Sequence, residues 1–316
     1  MLGVQSIVVS ILLFVFTLNA NAKGHQPLHK DADITFGYAH VNGIDMHYAK
    51  TGHGKKLLLL VHGFPEFWYE YKAVLVAYRN SDEYTVVAPD MRGYNLTSKP
   101  VDEKEYQVSY MVEDLRQLAD SLHFKTFTMV AHDWGGVVAW EFAIAHPEYL
   151  DELIIIDAPH PALFTHAIAT NPEQQKASQY MAFFRSPQAE SVLSADHYAK
   201  LVDLVMGSGL KTGAFSEADK EEYLKAWSQP GALTGGLNYY RASHDYGSGL
   251  SPSSYKVNVP TLVIWGEKDS ALLVSLLDGL DQYVPNLTVK IIPGASHWVI
   301  HEKPDLVIGY IKDFIR

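Results

Sequence analysis

Six short, almost wholly apolar runs recur along the chain: "KLLLLVHG", "YTVVAPD", "FTMVAHD", "LDELIIIDAP", "PTLVIWGEKD" and "LTVKIIPGASH". Runs of this length without polar alternation are what strands buried on both faces of a parallel sheet require. Helical patterns over 108–122, 136–145 and 304–315 separate several of them. Alternating strand and helix predicts an α/β fold with helices on both faces of a mostly parallel sheet. Ligands of such sheets bind beyond the carboxyl ends of the strands, so the residues there are the ones to examine for chemistry. Ahead of the alternation, "ITFGYAHVNGIDMHYAKTG" turns about Asn42-Gly43 and reads as a β-hairpin.

One interval breaks the pattern. From 159 to 259 no buried-strand run occurs, and the sequence is helical and rich in Tyr, Phe and Ala. The expected organisation is therefore a core built from 23–158 and 260–316, with 159–259 inserted as a helical cap that roofs the strand ends and excludes water. A chain of 316 residues is long enough for one domain with such an insertion. At the amino end, Ile7 to Leu18 is apolar except for Ser10 and Thr17, and Ala20-Asn21-Ala22 follows. That segment is short for a membrane span and has the small residues of a cleavage site. It predicts a signal peptide over 1–22, removed near Ala22, and an exported protein, periplasmic or secreted, with no stable membrane association afterwards. The net charge of −11 disfavours nucleic acid or an anionic membrane surface as partner. The absence of cysteine excludes disulfides, thiolate metal sites and a cysteine nucleophile.

Four strand ends carry polar residues that packing does not require: His62-Gly63-Phe64-Pro65-Glu66, Asp133-Trp134, Asp269 and His297. Each alone reads as a cap or a turn residue. Together they follow the chain order nucleophile, acid, histidine of an α/β-hydrolase triad. The segment Ala131-His132-Asp133-Trp134-Gly135 has small residues on both sides of its centre, as a sharp strand-to-helix turn requires. An aspartate that merely caps the following helix is the alternative reading of Asp133.

The segments "HGFPEFWYEYK", "DMRGYNLTSKP", "AHDWGGVVAWEFAIAHPE", "NYYR", "WGEKD" and "GASHW" together resemble the epoxide hydrolases of the α/β-hydrolase fold, over essentially the whole mature chain. The "HDWGG" segment alone is shared with haloalkane dehalogenases. The resemblance implies Asp133 as nucleophile, His297 as general base and Asp269 as the acid that orients it. It implies backbone N–H groups of Phe64 and Trp134 as the oxyanion hole, and a cis peptide between Phe64 and Pro65. Asp157, in "IIIDAPHP", sits where some relatives place the triad acid. It is the alternative to Asp269, and otherwise a hydrogen-bonding residue of the cap hinge.

A carboxylate in place of serine has a chemical reason. Serine attacking a saturated carbon would leave an ether that water cannot cleave. Aspartate leaves an ester, which activated water hydrolyses with oxyanion stabilisation. The substitution thus points to displacement at an sp³ carbon. An epoxide oxygen departs as a basic alkoxide and needs a donor, which a phenol supplies because it stays protonated at neutral pH. Tyr240 in "GGLNYYRA" and Tyr180 in "QYMAFFRSP" resemble the two cap tyrosines of epoxide hydrolases, and Tyr239 reads as packing.

The alternatives are a haloalkane dehalogenase using the same aspartate, with Trp134 as a halide donor, and a catalytically silent secreted binding protein. Phe67, Trp68, Phe183, Phe184 and Trp298 are expected to line an apolar pocket for a small uncharged epoxide. No metal or organic cofactor is implied. His25, His29 and His160 lack ligand spacing and read as solvated surface. Asn95-Leu96-Thr97 and Asn286-Leu287-Thr288 match glycosylation acceptors, which matter only in a eukaryotic secretory pathway.

Overall fold

A computed structural model describes residues 33–243 and 255–315. The expected export segment, its cleavage near Ala22, and His25 and His29 lie outside the described residues. The hairpin forms as expected: β1 (Thr35–Val41) and β2 (Ile44–Gly52) pair antiparallel. Asn42 and Gly43 both take positive φ, 44° and 79°, which two-residue hairpin turns demand. The six apolar runs become β3 (Lys56–Val61), β4 (Tyr84–Pro89), β5 (Phe127–His132), β6 (Leu150–Ile156), β7 (Thr261–Gly266) and β8 (Leu287–Ile292). They form one eight-stranded sheet in the order β1-β2-β4-β3-β5-β6-β7-β8. Pairing is parallel from β4 through β3 to β8, and β2 meets β4 antiparallel.

Burial follows position in this order. The strands β4, β5 and β7 are buried throughout, as the apolar runs require. The last strand, β8, departs from expectation: only Ile292 is buried, and Val289 and Ile291 are exposed. With one neighbour and a place at the rim of the core, an edge strand cannot hide both flanks.

Five helices belong to the sheet layers: α1 (Lys72–Ala77), α2 (Val108–Ser121), α3 (Trp134–Ala145) and, near the carboxyl end, a short Val299–Glu302 turn of helix and the Pro304–Phe314 helix. Met111, Leu115, Leu118 and Ala119 give α2 a buried stripe at helical spacing. The next helix, α3, packs against β5, β6 and α2 and is buried on nearly every side.

Between β6 and β7 the described residues hold seven helices and no strand: α4 (Pro161–Thr170), α5 (Pro172–Ala177), α6 (Tyr180–Arg185), α7 (Ala189–Met206), α8 (Gly209–Thr212), α9 (Glu217–Trp227) and α10 (Ala232–Ala242). Asp196, His197 and Tyr198 take left-handed backbone in succession and break α7 into two segments. Among the described residues no helix is long and apolar enough to cross a membrane.

One sequence expectation fails on burial. His160 is not solvated: it stacks on Tyr283, meets the Trp140 ring, and its Nε2 lies 3.0 Å from the Tyr255 carbonyl. Burial lowers its pKa to about 4. Asn95 is buried with its Nδ2 donating to Asp90, so it cannot carry a glycan, whereas Asn286 is exposed.

One buried ion pair ties the layers together. Arg92, in the loop after β4, donates through Nε and Nη2 to both oxygens of Asp114 on α2. Asn42 of the hairpin donates to the same carboxylate, and its carbonyl accepts from Arg92. The Arg92 carbonyl in turn accepts from the Tyr239 hydroxyl of α10 at 2.9 Å. Replacing one member of a buried pair leaves the other charge uncompensated. Asp114→Ala is therefore expected to lower unfolding stability by about 3–5 kcal/mol, read from the urea midpoint at constant slope. A loss below about 1 kcal/mol would mean that Arg92 is not held in this way.

Candidate active site

The polar residues singled out in the sequence converge at the carboxyl ends of the parallel strands. β5 ends at His132, and the next residue, Asp133, turns the chain into α3 with φ 48° and ψ −120°. Such backbone is disfavoured for a residue with a side chain and is held only by its surroundings. The Asp133 carbonyl accepts from Val137 N–H, so the helix begins at once. Gly135 and Gly136 admit the crossing. A Cβ on Gly135 would stand 2.3 Å from the Val61 carbonyl oxygen, and one on Gly136 would stand 2.2 Å from the Ala158 Cβ. The capping alternative fails, because the Asp133 side chain makes no hydrogen bond to α3. It points instead to Phe64, whose backbone N–H donates to Oδ1 at 2.7 Å.

The loop that supplies Phe64 follows β3 and contains the cis Phe64–Pro65 peptide. His62 fixes its base: Nδ1 meets the Gly63 carbonyl at 2.8 Å, and Nε2 accepts from Met91 N–H at 2.9 Å. These partners define the tautomer, since a carbonyl only accepts and an amide only donates. Trp134 opens α3, so its backbone N–H is among the first donors of the helix, which have no partner within it.

His297 follows β8. Its Nδ1 lies 2.7 Å from Asp269 Oδ2, and its Nε2 lies 3.6 Å from Asp133 Oδ2. The second separation is too long for a hydrogen bond but close enough for charge attraction. Asp269 is anchored through Oδ1, which accepts from Ala271 and Leu272 N–H at 2.8 Å each. Gln174 on α5 braces that loop by bonding the Ala271 carbonyl and Leu273 N–H. Burial alone would depress the His297 pKa, but Asp269 and Asp133 outweigh it and raise it well above the usual imidazole value. Burial opposes ionisation of Asp133, and the attraction of His297 still carries its pKa below the usual aspartate value.

Asp157 follows β6 and is fully buried. Its Oδ1 accepts from Gly266 N–H at the end of β7, at 2.8 Å. Asp269, not Asp157, is thus the carboxylate paired with His297, and Asp157 hydrogen-bonds where the chain leaves β6 for the helical interval. Burial, then the negative charge of Asp269, push its pKa well above the aspartate range.

A cavity of about 390 Å³ opens over Asp133 and Trp134, walled by α4, α5, α6 and α10. Tyr180 on α6 and Tyr240 on α10 both line it, their rings 6.3 Å apart. Burial, then the Asp133 charge, raise both phenols above their usual value, so both are neutral donors. The remaining wall includes Val137, Phe164, Ile168, Met181 and Leu272, with Arg185 its one cation among the described residues. None of Phe67, Trp68, Phe183, Phe184 and Trp298 is on this wall. Phe67 and Trp68 pack against Tyr69 below the loop, Phe184 lies behind Tyr180 and Tyr240, Phe183 packs on Phe184, and Trp298 sits against His297 and His132. Aromatic content marked these segments as buried, but not which side of each ring faces the cavity.

Other polar residues near the site had no role assigned from the sequence. Asp90 gathers His47, Trp68 N–H and Asn95 beneath the loop. His132 and Glu70 form a buried pair behind Asp133, with Nδ1 and Oε1 2.5 Å apart. Among the described residues one trio, Glu66, Glu70 and His301, brings possible metal-ligating atoms within 4.8 Å of one another. Glu66 is already engaged there by Tyr223 and His301. An aspartate following a strand is the only signal that could have flagged Asp90, and it is weak.

Comparison with known proteins agrees with this geometry. Residues 56–304 match the family described as alpha/beta hydrolase fold. Epoxide hydrolase 4 of Mus musculus is 36% identical over 282 residues, covering 87% of this chain and 77% of that protein. The AB hydrolase superfamily protein YfhM of Bacillus subtilis (strain 168) is 36% identical over 88% of this chain and 97% of that one. The crystal structure of a Bacillus megaterium epoxide hydrolase with an inhibitor superposes with a TM-score of 0.82 at 34% identity, over 88% of this chain and 99% of that one. By its sheet order, its strand-end residues and these similarities, the chain belongs to the α/β-hydrolase fold family, among the epoxide hydrolases.

Proposed function

We propose that the protein hydrolyses small epoxides to vicinal diols in two steps, through an ester on Asp133, beneath a cap formed by α4–α10. The observation that carries this reading is that Asp133, Tyr180 and Tyr240 face one cavity, a carboxylate opposite two neutral phenols. In the first step a carboxylate oxygen of Asp133 attacks a ring carbon. The C–O bond of the ring breaks, and a tyrosine proton goes to the departing oxygen. In the second step His297 takes a proton from water, whose oxygen attacks the ester carbonyl. Phe64 N–H, already at 2.7 Å from Oδ1, stabilises the oxyanion together with Trp134 N–H. The diol leaves, the carboxylate is restored, and the proton on His297 returns to the tyrosinate. Halide displacement would leave both phenols without a task, and the Trp134 ring meets Tyr240 edge-on, centroids 5.0 Å apart.

The charges favour this order of steps. In the resting site His297 is flanked by Asp133 and Asp269, whose charges raise its pKa. Esterification makes Asp133 neutral, removes one of those attractions, and lowers the His297 pKa just when a base is needed. Geometry at the nucleophile is equally tight. A Cβ on Gly63 would stand 2.4 Å from Asp133 Cβ and 2.5 Å from Oδ1.

The decisive test is the intact mass of His297→Gln incubated with a panel of epoxides and haloalkanes. A gain of the whole epoxide mass is expected. A gain of a haloalkane less hydrogen halide would make the protein a dehalogenase, and no adduct with an inactive wild type would favour a binding protein. In single-turnover experiments, ester decay should accelerate as pH rises through the His297 pKa of the ester form. That midpoint should lie below the one at which His297 titrates in the resting protein by NMR, and a higher midpoint would contradict the charge argument. Gly63→Ala should displace the Asp133 carboxylate and lower kcat/KM by about 100-fold, the scale of a 1 Å misplacement. A crystal structure with Asp133 unmoved and wild-type kinetics would refute it.

A further inference from the structure

His132 is the last residue of β5, immediately before Asp133, and its ring is buried. Its Nε2 lies 3.0 Å from the backbone carbonyl of His297. A carbonyl only accepts, so Nε2 carries the hydrogen. The other nitrogen, Nδ1, lies 2.5 Å from Oε1 of Glu70, in the turn Trp68–Tyr71 that follows the oxyanion loop. The two meet without the alignment of a full hydrogen bond, and Glu70 Oε2 has no described partner.

A bare carboxylate so enclosed, with Glu66 nearby, would be strongly unfavourable. Burial, then the Glu66 charge, raise the Glu70 pKa well above the carboxylate range. Burial, then His297, lower that of His132. Both directions favour a neutral pair, with a Glu70 carboxylic acid facing the His132 Nδ1 lone pair at 2.5 Å while His132 Nε2–H donates to the His297 carbonyl. A directed chain then runs from the oxyanion turn, through the strand that bears Asp133, to the backbone of the residue proposed as the base. The rings of His132 and His297 lie 4.7 Å apart, centroid to centroid, along the same line.

We propose that Glu70 is a positioning residue for the second half-reaction, acting through His132 to hold the His297 backbone at the height where Nε2 can activate water against the ester. The inference rests on the two-step reading above. Attack on the epoxide needs Asp133 and the tyrosines and tolerates a displaced His297, whereas ester hydrolysis needs the base in place. Loss of Glu70 should therefore slow hydrolysis selectively. For a two-step reaction, slowing only the second step lowers kcat and KM together and leaves kcat/KM, set by the first step, unchanged. Loss of folded protein instead lowers kcat at constant KM.

The test compares Glu70→Leu with Glu70→Gln, whose amide N–H can face His132 Nδ1 in place of the acid. For Glu70→Leu, kcat and KM are expected to fall together by about 10- to 100-fold, the scale of a misplaced base, with ester on the enzyme at steady state. Glu70→Gln should stay within about fivefold of wild type, well inside the range of a lost base. A fall in kcat at constant KM, no change in Glu70→Leu, or a Glu70→Gln as impaired as Glu70→Leu would each overturn the proposal. Should Glu70→Leu not fold, nitrogen-15 NMR of wild-type histidines decides: neutral His132 protonated on Nε2 is expected, and an imidazolium or the Nδ1–H form refutes it. If His297→Gln traps no ester, the two-step reading itself has failed. If it does and Glu70→Leu still behaves as wild type, only the positioning role has.

Discussion

The backbone of one residue, Asp133, stands in left-handed space with its side chain aimed out of the sheet, and the surrounding structure is arranged to hold it there. Strain of this kind persists only where neighbours over-determine the conformation. The sequence meets the demand with absent side chains. Gly135 lets the first turn of α3 approach the Val61 carbonyl, Gly136 lets it approach Ala158, and Gly63 leaves the carboxylate its place. Buried strands on both sides of β5 remove any freedom for the turn to relax. The cavity, His297 and the two cavity tyrosines all lie about an atom whose location follows from that turn.

Polar order around the turn rests on a few buried side chains with fixed partners. His62 bridges the Gly63 carbonyl and Met91 N–H, Asp269 is fixed by two backbone N–H groups before it meets His297, and Asp157 ties β6 to β7. Rigidity of this kind suits a site whose working groups must stay put while charge moves among them. Arg92 extends the same logic outward, since one residue joins the hairpin, α2 and, through its carbonyl, the helix that carries Tyr240.

What the sequence disclosed follows the physics of each signal. Strands without polar alternation were legible because burial on both faces leaves no other pattern, and the hairpin because Asn42-Gly43 fits few other backbones. The edge strand β8 shows the limit: its composition is that of a core strand, and only its place in the sheet exposes Val289 and Ile291. Asp133, Asp269, His297, Tyr180 and Tyr240 were named from order and motif, and they do converge. The cavity wall was not legible, because Phe67, Trp68 and Trp298 are as aromatic as wall residues would be, and ring direction depends on packing many residues away. Nor was the burial of His160, which depends on Tyr255 and Tyr283 far along the chain. Glu70 carries no signal of its own in the sequence, since only the fold brings it to His132.

Most of the cavity wall comes from the helical interval, with Val137 and Leu272 added from the sheet layers. Asp133, Asp269 and His297 follow sheet strands, while Phe164, Ile168, Met181 and Arg185 belong to α4 and α6. Variation at Phe164, Ile168 and Met181 can therefore reshape the cavity without touching Asp133, Asp269 or His297. A combinatorial library confined to Phe164, Ile168 and Met181 would vary the wall alone, whereas Arg185, whose Nε donates to the Tyr240 carbonyl at 2.9 Å, is tied to the placement of that phenol.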